Sequence, residues 1–132
     1  MKRNVALSLF LILILCLSMG CKRTIPIPEI TNGSVSSYGK PSAAQVRDGI
    51  MRAGSIIGWQ MVEERPGLIV ATWRARDHSV IVEIPYSTTQ YSIKYRSSVN
   101  LLAEGGQIHR NYARWVDRLN RNISKELSQS RR

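Results

Sequence analysis

The chain is poor in cysteine, in histidine and in acidic side chains. Its 132 residues hold two Cys, two His and nine Asp or Glu, against nineteen Lys or Arg. So few thiols exclude a disulfide-stapled scaffold and a cysteine-rich zinc module. The two histidines, His78 and His109, stand in no metal-ligand spacing, and no cofactor or metal is expected. No G-x-S-x-G, H-E-x-x-H or phosphate-cradling loop occurs, and Gly105-Gly106 alone marks only a loop. The chain also lacks a comfortable membrane span, which needs about 20 apolar residues. Each absence removes a class of chemistry; what remains is basic and small.

Met1-Lys2-Arg3 supplies a short positive region, and Val5 to Leu17 is almost wholly apolar. That run has the length of a signal-peptide core, about 7–15 residues, and small residues follow it. An uncleaved N-terminal anchor is the competing reading, and the short run argues against it. Ser18-Met19-Gly20-Cys21 resembles the lipobox of bacterial lipoproteins. In that family the peptide is cut before the cysteine, the thiol carries a diacylglycerol and the new amino group is acylated. Gly20 matches the small residue before the cut, whereas Ser18 departs from the usual leucine, which lies one step back at Leu17.

The resemblance implies that residues 1–20 are discarded with Cys16 and that Cys21 is lipidated. A Cys16–Cys21 disulfide is the rival, and it requires the signal segment to survive. Each buried methylene of an acyl chain contributes about 0.8 kcal/mol, so several chains hold firmly where one binds reversibly. Lys22, which is not Asp, implies an outer-membrane address facing the periplasm by the enterobacterial sorting rule.

Removal of residues 1–20 leaves 112 residues, enough for one domain with a real core. Residues 21–41 are expected to be the lipidated cysteine and a flexible tether, reaching on the order of 25 Å. The alternative is that Ile25, Ile27 and Ile30 dock as an edge segment with the prolines outside. Residues 42–128 form the expected domain, and 129–132 a basic tail. Ser42 and Gln45 have capping-box spacing, and Val46, Ile50, Ala53 and Ile57 make one apolar stripe. Gly58 suits the helix end, while Gly49 and Gly54 weaken the helix or permit close packing.

Four extended segments are predicted at Trp59–Glu64, Leu68–Arg76, Ser79–Tyr86 and Gln90–Arg96. Arg65-Pro66-Gly67 makes the first turn. A two-residue Asp77-His78 loop would set Trp73 opposite Val82 and Ala71 opposite Ile84. A loop at 87–90 would set Val82 opposite Tyr95, Tyr86 opposite Tyr91 and Ile84 opposite Ile93, all on one face. Glu83 would then oppose Lys94 on the other face. A last helix from Ile108 to Leu127 carries the stripe Ile108, Tyr112, Trp115, Leu119, Ile123 and Leu127. The predicted architecture is α-β-β-β-β-α, a two-layer α+β sandwich built on a four-stranded antiparallel meander.

Arg110, Arg114, Arg118, Arg121 and Lys125 repeat at four, four, three and four residues, a basic stripe away from the apolar one. Its bland reading is a solvated helix face; its functional reading is a surface for anions. Arg74, Arg76, Lys94 and Arg96 would add cations on the outward sheet face. The shortened chain carries 17 basic and 9 acidic side chains, a net +8. Anionic lipid, lipopolysaccharide phosphates or an acidic envelope protein are the expected partners. Nucleic acid is not expected, because Tyr86, Tyr91, Tyr95, Trp73 and Trp115 fall on predicted core faces.

The segments RPGLIVATWRARDHSVIVEIPY, YSIKYRSSVNL and IHRNYARWVDRLNRNI together resemble a family of small uncharacterised lipoproteins from proteobacteria. The likeness runs from about Trp59 to Ile123 and rests on Pro66-Gly67, His78, Tyr91, Tyr95, Asn100, Leu101, Ile108, His109, Tyr112 and Trp115. Ala113 stands where the family has asparagine. The resemblance implies an envelope lipoprotein and attaches no activity to it. A non-catalytic binding module is the reading taken; a periplasmic enzyme using His78 or His109 with a nearby carboxylate is the alternative.

Overall fold

The computed structural model describes residues 23–35 and 39–129. The expected signal peptide, Cys21 and most of the basic tail lie outside the described residues. In chain order the elements are β1 (Thr24–Pro26), β2 (Ile30–Ser34), α1 (Ala43–Ile56), β3 (Gln60–Arg65), β4 (Leu68–Ala75), β5 (His78–Pro85), β6 (Gln90–Val99), β7 (Gln107–His109) and α2 (Asn111–Gln129). The class is α+β. A five-stranded antiparallel sheet runs in the order β2-β6-β5-β4-β3, and β1 pairs with β7 in a separate two-stranded ribbon. The four-stranded meander is thus β3 to β6, and β2 adds a fifth strand along β6.

The extra strands lie in the segment expected to be a tether. Ile25 pairs with Ile108, Ile30 with Ile93 and Gly33 with Tyr91. Ile25, Ile27 and Ile30 pack against the core, so residues 23–35 belong to the fold and the docked alternative holds there. Alternating isoleucines provide apolar burial, and short or edge strands tolerate proline because one side of their backbone needs no partner. The register shifts between Ile30 and Gly33, where Asn32 has φ 56°, so β2 carries a bulge. Bulged, proline-flanked edges resist pairing with other chains.

In α1 the capping box forms as expected. The Gln45 N–H donates to Ser42 Oγ at 3.2 Å, and the Ser42 N–H donates to Gln45 Oε1 at 2.8 Å. Gly49 is where the two helices meet: a Cβ there would lie 2.8 Å from Leu127 Cδ2. Val46, Ile50 and Ala53 are buried in the same core as Val116, Leu119, Ile123 and Leu127 of α2. Alternate sheet residues Ile69, Ala71, Val80, Val82, Ile84 and Ile93 complete that core. Both helices therefore cover one face of the sheet.

One register differs from expectation. Ala75 pairs with His78, so the β4–β5 turn is Arg76-Asp77 rather than Asp77-His78. Trp73 then meets Val80 and Ala71 meets Val82. The shift is two residues, so every side chain keeps its face. Arg76 adopts φ 55° at the turn, and the His78 ring, Nδ1 to Asn100 carbonyl at 2.8 Å, ties the start of β5 to the end of β6. The β5–β6 pairs Val82–Tyr95, Glu83–Lys94 and Tyr86–Tyr91 form as expected. Beyond them Ile81 pairs with Ser97, so Arg96 is the extra residue of a bulge and β6 continues to Val99.

α2 begins at Asn111, not at Ile108. Ile108 is fully buried all the same, but from the middle of β7. Its four-residue spacing from Tyr112 imitates the helical stripe. Trp115 is half-buried and tilted against Trp73, ring centroids 6.3 Å apart, and Trp73 in turn meets Trp59 at 5.8 Å.

Candidate anion-facing surface

Because α2 buries Tyr112, Val116, Leu119, Ile123 and Leu127, its opposite side presents Arg114, Arg118, Arg121 and Lys125 to solvent. Arg121 pairs with Asp117 at 2.6 Å, one turn away. Arg114, Arg118 and Lys125 form no ion pair with a described residue. Arg110 is not part of this helical stripe. It precedes the helix, and its N–H donates to the Arg23 carbonyl at 3.1 Å, so it closes the β1–β7 ribbon.

The sheet cations do not act as one patch. Lys94 is exposed and faces Glu83 across the ladder, but Arg96 is the cation in contact with that carboxylate. Arg96 Nη1 lies 3.3 Å from Glu64 and 3.6 Å from Glu83, so its charge is compensated. Arg74 and Arg76 are exposed at the end of β4 and in the turn after it, with no described ion-pair partner.

Those two arginines share an end of the molecule with features that the sequence pattern did not single out. Arg74 pairs with Ser79, which pairs with Val99. Asn100 holds the turn, its side-chain amide donating to the Asp77 carbonyl at 2.9 Å. The His109 N–H donates to the Leu101 carbonyl at 2.8 Å, which brings this loop to the end of β7 where Arg23 and Arg110 meet. Leu101 is buried, whereas Leu102 is 60% exposed at φ 53° and Val99 is 56% exposed. Left-handed backbone costs an L-residue about 1–2 kcal/mol, so Leu102 combines strain with exposure. The Leu101-Leu102 pair after Val99-Asn100 was the available signal, an apolar step outside any period.

The histidines have backbone roles. A carbonyl oxygen only accepts, so Nδ1 of His78 carries the proton that bonds Asn100; its Nε2 lies 3.5 Å from Asp77 Oδ1. Nδ1 of His109 accepts from the Asn111 N–H at 3.2 Å and so satisfies a free donor at the start of α2. No group of three His, Cys, Asp or Glu among the described residues converges on a metal position. Glu63 and Glu64 go to separate partners: Glu63 accepts from the Tyr86 hydroxyl at 2.7 Å and lies 3.5 Å from Arg47, while Glu64 meets Arg96.

Electrostatic shifts follow these contacts. The hydrogen bond to Asp48 holds the Arg47 guanidinium above its ordinary value, and the charge of Asp48 adds to it. Burial pushes the Tyr86 phenol up, with its bond to Glu63 in second place. Burial also raises Tyr91, whose hydroxyl donates to Asn120 Oδ1 at 2.7 Å, and raises Tyr112 further. The Tyr112 hydroxyl is buried with no hydrogen-bond partner among the described residues. No described helix is long and apolar enough to cross a membrane. No protein-family model matches the chain, and neither does any curated protein or solved structure.

Proposed function

We propose that the protein is a lipid-anchored module of the cell envelope, attached through Cys21 at an outer membrane and facing the periplasm. It acts without catalysis, binding an anionic lipid, lipopolysaccharide phosphates or an envelope protein through its basic surface. The observation that carries this reading is Ser18-Met19-Gly20-Cys21 behind a short apolar core and a basic start. The likeness of the 59–123 region to small proteobacterial lipoproteins supports it. So do the exposed cations Arg114, Arg118 and Lys125, which have no described acidic partner.

Fractionation of producing cells tests both parts. Cys21→Ala should move the chain from the membrane pellet to the soluble fraction. Reversal at Arg114, Arg118 and Lys125 to Glu should leave the anchored chain in the pellet but abolish capture of a separate envelope component. Undiminished capture after that reversal removes the electrostatic part. The enzymatic alternative has one contact behind it, Asp77 beside His78. Replacing both histidines by Ala should spare binding and abolish any hydrolytic activity.

A further inference from the structure

The described fold starts at Arg23, and only Lys22 stands between it and Cys21. A chain spans at most about 3.6 Å per residue, so the Cα of Cys21 lies within roughly 7 Å of Arg23 whatever path it takes. A lipid on Cys21 therefore leaves no slack, and one end of the domain must sit at the headgroups. That end is formed by the β1–β7 ribbon, the loop after β6 and the β4–β5 turn. Arg23 and Arg110 are joined there by a backbone hydrogen bond, and Arg74 and Arg76 stand at the neighbouring strand end. None of the four has a described ion-pair partner; Asp77 is the carboxylate in their turn, and it faces His78. Val99 pairs with the Ser79 that pairs with Arg74, and Leu102 follows the Leu101 carbonyl that holds His109; both are exposed apolar residues.

We propose that this end docks on the anionic phospholipid surface that holds the lipid, with Leu102 entering the headgroup layer and the four arginines against phosphates. This rests on the lipid attachment proposed above. Exposed leucine on an end that also carries arginines matches a bilayer interface, whose outer zone is anionic and whose next layer is apolar. Docking fixes the orientation of the domain, so that α2 leads away from its membrane-proximal start at Asn111. At 1.5 Å per residue, Lys125 lies about 21 Å further along the helix. Arg118 and Lys125 then remain open to a partner in the periplasm.

A fluorescent label at position 102 reads this directly. The lipidated chain carrying Leu102→Cys with a polarity-sensitive dye is reconstituted into vesicles of phosphatidylcholine, with or without phosphatidylglycerol. A second chain carries the dye at exposed Ser124→Cys. Docking predicts a blue shift and a gain in intensity for 102 when phosphatidylglycerol is present, reversed by salt, with 124 unchanged. Acylated Cys21 and co-flotation together with a water-like signal at 102 in both vesicles would overturn docking and leave the anchor intact. A shift at 102 that needs an added envelope protein would assign the face to that protein and also overturn docking. Absence of acylation would sink the anchor alone. For that case a Cys16→Ser/Cys21→Ser chain with the same dye should still partition to phosphatidylglycerol vesicles. Each of Arg23→Glu and Arg110→Glu should then weaken it roughly fivefold, and no response in that chain ends the proposal.

Discussion

The two ends of the sheet treat the same kind of residue differently. Toward the β3–β4 turn the carboxylates hold cations: Arg47 lies against Asp48 and Glu63, and Arg96 reaches Glu64 and Glu83 from the middle of β6. The exposed Arg65 at the turn, however, has no described ion-pair partner. Arg52 and Glu126 likewise tie α1 to α2. At the end bearing Arg23, Arg74, Arg76 and Arg110, the described cations lack such partners and share their surface with exposed leucine and valine. Paired charges serve the fold by a few tenths of a kcal/mol each when exposed. Unpaired charges beside exposed apolar groups do nothing for it. The difference points to binding at one end and to internal organisation at the other.

The largest effect is expected where the ribbon joins the core. Ile108→Ala removes a fully buried side chain opposite Ile25, and urea unfolding should show a loss of about 2–5 kcal/mol. A loss under about 1 kcal/mol would mean that the ribbon is an appendage. Next comes Gly33→Ala in β2. A methyl there meets the Tyr91 ring, at 2.7 Å from Cε1, and the ring is held by Asn120. Destabilisation of about 1–3 kcal/mol is expected, with the Tyr91 contact as its cause.

Leu102→Gly sharpens the contrast in the other direction. Relief of the left-handed backbone should raise stability by up to about 1 kcal/mol, while membrane response falls. A destabilised Leu102→Gly chain would show that Leu102 packs inward. The smallest effect is Tyr112→Phe, close to neutral at pH 7 because the deleted hydroxyl has no described partner. Its signature lies in alkali. Burial raises the folded pKa above the ordinary 10.0, so the stability held by the neutral phenol is complete below that value and is lost as pH rises through the folded one. Tyr112→Phe should therefore flatten the fall of stability above pH 10, leaving the smaller shares due to Tyr91 and Tyr86. An unchanged alkaline limb would count against the burial of this hydroxyl.

Much of the fold was legible because its signals are local and repeat. The Ser42–Gln45 capping box needs four residues to be seen, and Tyr95, Lys94 and Tyr91 meet their partners on simple alternation. What escaped depended on distant contacts. Ile25 and Ile30 are single apolar residues in a proline-rich stretch, and their value appears only when β7 and β6 lie beside them. Ile108 fits the helical period by spacing and the ribbon by partner, and spacing cannot choose between them. The turn moved by one residue because Arg76 accepts a positive φ, which no turn rule favours for arginine. Of the candidate surface, the α2 stripe was readable from periodicity. The Arg96 compensation needed the bulge, and the joining of Arg23 to Arg110 needed the ribbon.

The orientation of the domain follows from lipid on Cys21. Mass spectrometry of the N-terminal peptide, from chain purified out of its own envelope, tests this most directly. Lipid anchoring predicts a chain that begins at Cys21, with a diacylglycerol thioether on the cysteine and an acylated amino group. A chain that still begins at Met1, or one that begins at a free, unmodified Cys21, would contradict it.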